Sequence, residues 1–110
     1  MEKMIYSVLN INQTNINMQN NPNYNLVFLG ADNISQKEEQ SIKSIIINAV
    51  SKYTEYTDLV TYIQKNCTSL LGGTWVAIVG ERDKYNYCAD LIKSYRVNIG
   101  PYKISVIKIN

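Results

Sequence analysis

The sequence predicts an α+β domain in which two helices pack on an antiparallel sheet, in the order β-α-α-β-β-β-β. Three observations carry this prediction. Apolar residues recur with helical spacing between residues 35 and 71, the spacing switches to two from Thr74 onward, and the pair Gly72-Gly73 stands at the switch.

Taken in order, Asn25-Leu26-Val27-Phe28-Leu29-Gly30 is a short run of β-formers closed by a glycine, and reads as a strand. Ser35 with Glu38 three residues on makes a capping box, which satisfies first-turn amide groups from both directions and starts the first helix. Ile42, Ile45, Ile46, Ala49, Val50 and Tyr53 form its apolar stripe, with Lys43, Ser44, Ser51 and Lys52 between them. Thr57 is the expected cap of the second helix, and Asp58 suits its positive end. Leu59, Tyr62, Ile63, Asn66, Cys67 and Leu70 continue the helical period until Gly72.

The run Thr74-Trp75-Val76-Ala77-Ile78-Val79-Gly80 is apolar in both alternating sets, as in a strand buried on both faces. A charged loop, Glu81-Arg82-Asp83-Lys84, ends it. Residues 85–89 alternate like a strand, and residues 92–99 and 102–109 form a hairpin around Gly100-Pro101. In that hairpin Tyr95, Val97, Ile99, Tyr102, Ile104 and Val106 share the face toward the helices. Ser94, Arg96, Asn98, Lys103 and Ser105 share the other, which is expected to be wet.

Ahead of this domain, residues 1–25 hold eight of the fourteen asparagines and end near the turn signal Asn21-Pro22-Asn23, so the chain divides into an Asn-rich arm, 1–25, and a domain, 26–110. Isoleucine and asparagine enrichment of this kind also arises from AT-rich codons. The 110 residues suffice for one core.

Composition narrows the function. The chain has no histidine, which excludes a Ser-His or Cys-His nucleophile pair, an imidazole base and a His-ligated metal. No catalytic carboxylate pair, phosphate-binding glycine loop or metal cluster can be assembled, so neither enzyme activity nor a cofactor is expected. The eleven basic and nine acidic residues are scattered, which argues against a nucleic-acid partner. Cys67 and Cys88 lack CxxC spacing and read as reduced thiols. The first apolar run is too short for a signal core, and none approaches the roughly 18 residues of a membrane span. A cytosolic protein without membrane contact is expected.

Several stretches resemble the small, type 1 class of dynein light chains, dimeric hub proteins of cytoplasmic and axonemal dynein. They are Ala49-Val50-Ser51-Lys52-Tyr53, Asp58-Leu59-Val60-Thr61-Tyr62-Ile63-Gln64-Lys65 and, above all, Thr74-Trp75-Val76-Ala77-Ile78-Val79-Gly80, against the family pattern Thr-Trp-His-Cys-Ile-Val-Gly. Gly100 falls at the family's hairpin glycine, and the register runs without gaps from about Ala31 to Lys108.

The resemblance implies a sheet strand, residues 85–89, exchanged between subunits of a twofold dimer, and an extended target peptide added beside it. Its peptide groove would involve Tyr56, Thr57, Lys84, Tyr85, Asn86, Tyr87, Cys88, Ala89, Arg96, Asn98, Lys103 and Ser105. Its dimer interface would involve Val76, Ile78, Gly80, Tyr85, Tyr87 and Ala89. The implied partners are a second copy or another light chain, and dynein intermediate chain or other extended peptides. The implied location is the dynein complex, cytoplasmic or axonemal. Departures from the family qualify this: Ser94, Arg96, Asn98, Lys103 and Ser105 make the groove polar and partly cationic, and Val76 replaces an interface histidine linked to acid dissociation. The alternative is a diverged structural subunit with one fixed partner. Gln13-Thr14 in the arm also resembles the family's target motif, which makes the arm a candidate built-in ligand.

Overall fold

The computed structural model describes residues 24–84 and 93–109. Their elements are β1 (Leu26–Asp32), α1 (Gln36–Lys52), α2 (Tyr56–Leu71), β2 (Trp75–Glu81), β3 (Lys93–Ile99) and β4 (Tyr102–Lys108). The strands form one antiparallel sheet in the order β1-β3-β4-β2, so among the described residues β1 and β2 are its edges. The expected strand over residues 85–89 lies outside the described residues, as do most of the arm and its Gln13-Thr14 motif.

Two helices cover one face of the sheet. The core joins Ile42, Ile46, Leu59 and Ile63 from the helices to Tyr95, Val97, Ile99, Ile104 and Val106 from the central strands, all fully buried. Helix α1 begins as the sequence predicts: Ser35 Oγ accepts from the Glu38 N–H at 3.1 Å, and the Ser35 N–H donates to Glu38 Oε1 at 3.0 Å. Its buried residues are those of the predicted stripe, Ile42, Ile45, Ile46, Ala49 and Val50. Helix α2 ends at Gly72, whose φ of 77° suits a residue without Cβ.

Four details differ from the sequence expectations. Helix α2 starts at Tyr56 with Glu55 as its N-cap and no side-chain cap bond, so Thr57 lies inside the first turn. Tertiary packing sets this start. The Tyr56 ring sits edge-on to Tyr102 at 5.9 Å, and the Tyr102 hydroxyl donates to the Thr54 carbonyl at 3.1 Å. Strand β1 continues past Gly30 to Asp32, with a bulge between Phe28 and Gly30. Leu70 is 63% exposed, and Leu71 packs on the core instead. Strand β2 is buried mainly on its helix-facing side, at Trp75 and Ala77, while Ile78 on the other side is 38% exposed.

The largest departure concerns the sheet face opposite the helices. Ser94, Asn98 and Ser105 on that face are buried, at 1%, 4% and 0% exposure, and Ile107 beside them is 3% exposed. The face is polar but its centre is not wet. Ser94 is hydrogen-bonded there to Asp32 and Arg96, and the Asn98 amide nitrogen to Asp83.

At the N-terminal boundary, Tyr24 packs on the core and its ring lies over Gly100 in the β3–β4 turn. Gly100 has φ +58°, and a Cβ there would meet the Tyr24 ring at 2.5 Å.

Candidate functional site

The register sorts the candidate residues onto surfaces. Because Val76 pairs with Ile107, Ile78 with Ser105 and Gly80 with Lys103, these three β2 residues share the sheet face of Arg96, Asn98, Lys103 and Ser105. Tyr56 and Thr57 lie in the helix layer, on the other side of the sheet. The described groove candidates therefore fall on two opposite surfaces. The described interface candidates Val76, Ile78 and Gly80 share one of these surfaces with Arg96, Asn98, Lys103 and Ser105. Lys84 ends the turn after β2, its N–H donating to the Glu81 carbonyl at 3.1 Å. Tyr85, Asn86, Tyr87, Cys88 and Ala89 lie outside the described residues.

On the face away from the helices the charges are internally matched. Asp32 Oδ2 accepts from Ser94 Oγ at 2.9 Å and from Arg96 Nη1 at 3.1 Å, and Arg96 Nη1 also donates to Ser94 Oγ at 2.7 Å. The Arg96 and Ser94 hydrogen bonds hold the Asp32 carboxyl below its ordinary value. The arginine reaches Asp32 by crossing Gly30, where a Cβ would come within 2.5 Å of Nη2. Asn98 Nδ2 donates to Asp83 Oδ1 at 3.1 Å, while its own buried Oδ1 has no partner among the described residues.

The other surface is the seam between α2 and the outer edge of β2. Thr61, Gln64, Lys65, Thr68 and Ser69 share one side of the helix and, with Trp75, line a trough of about 470 Å³. Two side chains bridge the seam. Thr68 Oγ1 accepts from the Trp75 N–H at 3.1 Å, and Gln64 Oε1 accepts from the Ala77 N–H at 3.0 Å. The Trp75 indole N–H donates to the Gly72 carbonyl at 2.9 Å. Sequence reasoning assigned Gln64 and Thr68 no role. A polar pair four residues apart on a helix, ahead of an edge strand, was the available signal.

A second hollow of about 410 Å³ lies across α2 among Tyr53, Asp58, Thr61, Tyr62, Lys65 and Asn66. Lys52 Nζ lies 4.9 Å above the Tyr62 ring at its side. Buried Cys67 faces neither hollow, and burial pushes its thiol up to about 12, which leaves it unreactive. Among the described residues no group of three or more Cys, Asp or Glu side chains is placed to hold a metal ion, and no helix is long and apolar enough to cross a membrane.

No protein-family model matches the chain, and no curated protein matches it either. Solved structures do. The DLC-like domain of CsTAL3 superposes with a TM-score of 0.62 at 15% identity, over 76% of this chain and 90% of that one. The dynein light chain-like domain of the Fasciola hepatica calcium-binding protein FhCaBP2 is similar in two crystal structures. In its native crystal it superposes with a TM-score of 0.62 at 10% identity, over 86% of this chain and all of that one. In a mercury derivative the values are 0.58 and 11%, over 77% and 92%. The fold is that of the dynein light chain-like domains.

Proposed function

We propose that this chain is a non-catalytic, divergent dynein light chain that pairs with a second copy by strand addition and holds extended peptides against the seam of α2. The observation that carries this reading is the path between β2 and β3. Both strands are antiparallel to β4, so they run in the same direction, and the chain must return along the whole sheet between Lys84 and Lys93. Seven-residue strands are about 20 Å long, and two strand spacings add about 10 Å sideways, so the gap is about 22 Å. Nine steps of fully extended chain reach about 30 Å. A connection between parallel strands usually takes a dozen or more residues, with a helix. So short a connection suits strand exchange better than a crossover within one chain, and β2, one of the two edges of the order β1-β3-β4-β2, can take an added strand.

Two further points support the reading: the fold likeness to dynein light chain-like domains, and the Thr74-Trp75-x-x-Ile78-Val79-Gly80 run that forms β2. Two grooves per dimer would give avidity for paired target chains in a motor complex, cytoplasmic or axonemal. Sedimentation equilibrium of the full chain tests the pairing. A twofold dimer is expected at micromolar concentration, and a monomer at every concentration would overturn the reading. Because Val76 is not titratable, the dimer should persist at mildly acidic pH. A peptide array of dynein intermediate-chain fragments then tests the groove.

One observation favours a second reading, in which the partner is a single fixed chain. The Asp32–Arg96 pair, held in place by Ser94, forms a polar, shape-specific surface, better suited to one partner than to many. Binding of none of the arrayed peptides by a well-formed dimer would select it.

A further inference from the structure

The edge of β2 is already engaged by the protein's own helix. In an antiparallel pair the N–H and C=O of one residue point to the same side, and successive residues alternate. The Ile109 N–H donates to the Thr74 carbonyl at 2.9 Å and the Arg82 N–H to the Pro101 carbonyl at 2.9 Å, so the even-numbered residues of this strand face β4. Trp75, Ala77 and Val79 therefore present their backbone groups outward, where an added strand would pair, while the Glu81 carbonyl closes the turn to Lys84.

The first two of these outward donors are taken by Thr68 and Gln64. The match is geometric. Two residues of strand advance about 6.8 Å and four residues of helix about 6.0 Å, so helix positions 68 and 64 step in time with strand positions 75 and 77. The next helix position in the series is Val60, which has no side-chain acceptor to offer Val79. The side-chain cap covers the start of β2 and stops before its end.

We infer that Thr68 and Gln64 form a removable cap on the β2 edge, standing in for the carbonyls of an incoming strand and setting how tightly a strand adds there. The inference rests on the strand-addition reading above. Addition begins at Val79, beyond the two side-chain caps, and proceeds by displacing Gln64 and then Thr68. A capped edge also keeps the unpaired chain from indiscriminate edge pairing, which exposed edge strands otherwise invite.

The sign of the effect separates this role from a merely structural one. Without the Thr68 hydroxyl, the Trp75 N–H loses its acceptor in the free chain but not in the paired one, where an incoming carbonyl supplies it. Thr68→Val and Gln64→Ala should therefore lower thermal stability and yet strengthen association. Full-length wild type, both variants, Thr68→Ser and the exposed control Ser44→Ala are compared by sedimentation equilibrium over a concentration series, with thermal melts alongside.

The expected result is a shift of the dimerisation midpoint to about 5- to 150-fold lower concentration for Thr68→Val and for Gln64→Ala, the range of one net hydrogen bond at each of the two edges in a twofold dimer. Thr68→Ser and Ser44→Ala should stay at the wild-type midpoint. If wild type dimerises and neither variant moves the midpoint down, the cap is refuted and strand addition stands. If neither wild type nor any variant associates at any concentration, strand addition itself falls, and the cap with it.

Discussion

Replacing Gly100 by alanine should destabilise the domain through two separable effects. The residue holds φ +58°, a left-handed conformation that costs a residue with a Cβ about 1–2 kcal/mol. The new methyl would also stand 2.5 Å from Cγ of Tyr24, closer than side chains tolerate, so the ring must leave the turn. Tyr24 is half-buried, and full burial of a large apolar side chain is worth about 1.5–3 kcal/mol, so its displacement adds about 1 kcal/mol. The sum is about 2–3 kcal/mol. Urea unfolding of Gly100→Ala should show a midpoint lowered accordingly with an unchanged slope. In a Tyr24→Ala background the same substitution should cost only the backbone share, about 1–2 kcal/mol. Equal costs in the two backgrounds, within about 0.5 kcal/mol, would show that Tyr24 does not rest on the turn. A cost below about 0.5 kcal/mol in the wild-type background would refute the left-handed turn itself.

Three other outcomes follow from the electrostatics and burial. Lys93 Nζ lies 2.8 Å from Glu38 Oε1, and that hydrogen bond, helped by the Ser35 N–H, holds the Glu38 carboxyl below its ordinary 4.5. A carboxyl lowered in the folded state adds stability that is present above its unfolded pKa and lost as pH falls through the folded one. Glu38→Gln should thus cost about 0.5–1 kcal/mol at pH 7 and progressively less as pH falls below 4.5, and a pH-independent difference in urea midpoints would contradict this. Gly30→Ala should push Arg96 away from Asp32, so that the Asp32 carboxyl, followed by NMR titration, rises toward its ordinary 3.8; an unmoved titration curve would place the guanidinium elsewhere. In a Cys88→Ser variant, the remaining thiol of Cys67 should resist Ellman's reagent at pH 8 until the chain is unfolded, and prompt native labelling would show that its pocket opens.

What could be read from the sequence was whatever depends on near neighbours. The α1 stripe and the Ser35–Glu38 capping box are local patterns, and both occur as expected. So does the alternation that sends Tyr95, Val97 and Ile104 to the helices. The start of α2 was not legible, because Tyr56 and Thr54 are held by Tyr102, more than forty positions away. Nor was the burial of Ser94 and Ser105. Alternation separates polar from apolar side chains, but it does not reveal that Asp32 and Arg96 come together across two strands to satisfy one of them. The placement of candidates on two surfaces follows from register, which pattern reading leaves open until pairings are known. Gln64 and Thr68 were passed over for a related reason: a polar residue on a helix reads as solvated unless the strand edge beside it is in view.

The bridge from Thr68 to the backbone of Trp75 has a practical consequence. Trp75 is the chain's single tryptophan, its ring is 2% exposed, and its indole N–H is tied to Gly72 at the end of α2. The molecule therefore carries one indole fluorophore, excited on the red edge of its absorption apart from the nine tyrosines, at the edge of β2. Its emission wavelength and quenching by iodide report on that edge alone, without a label. Mixing experiments on the unmodified protein can thus time the opening of the seam and the arrival of a partner as two successive optical events.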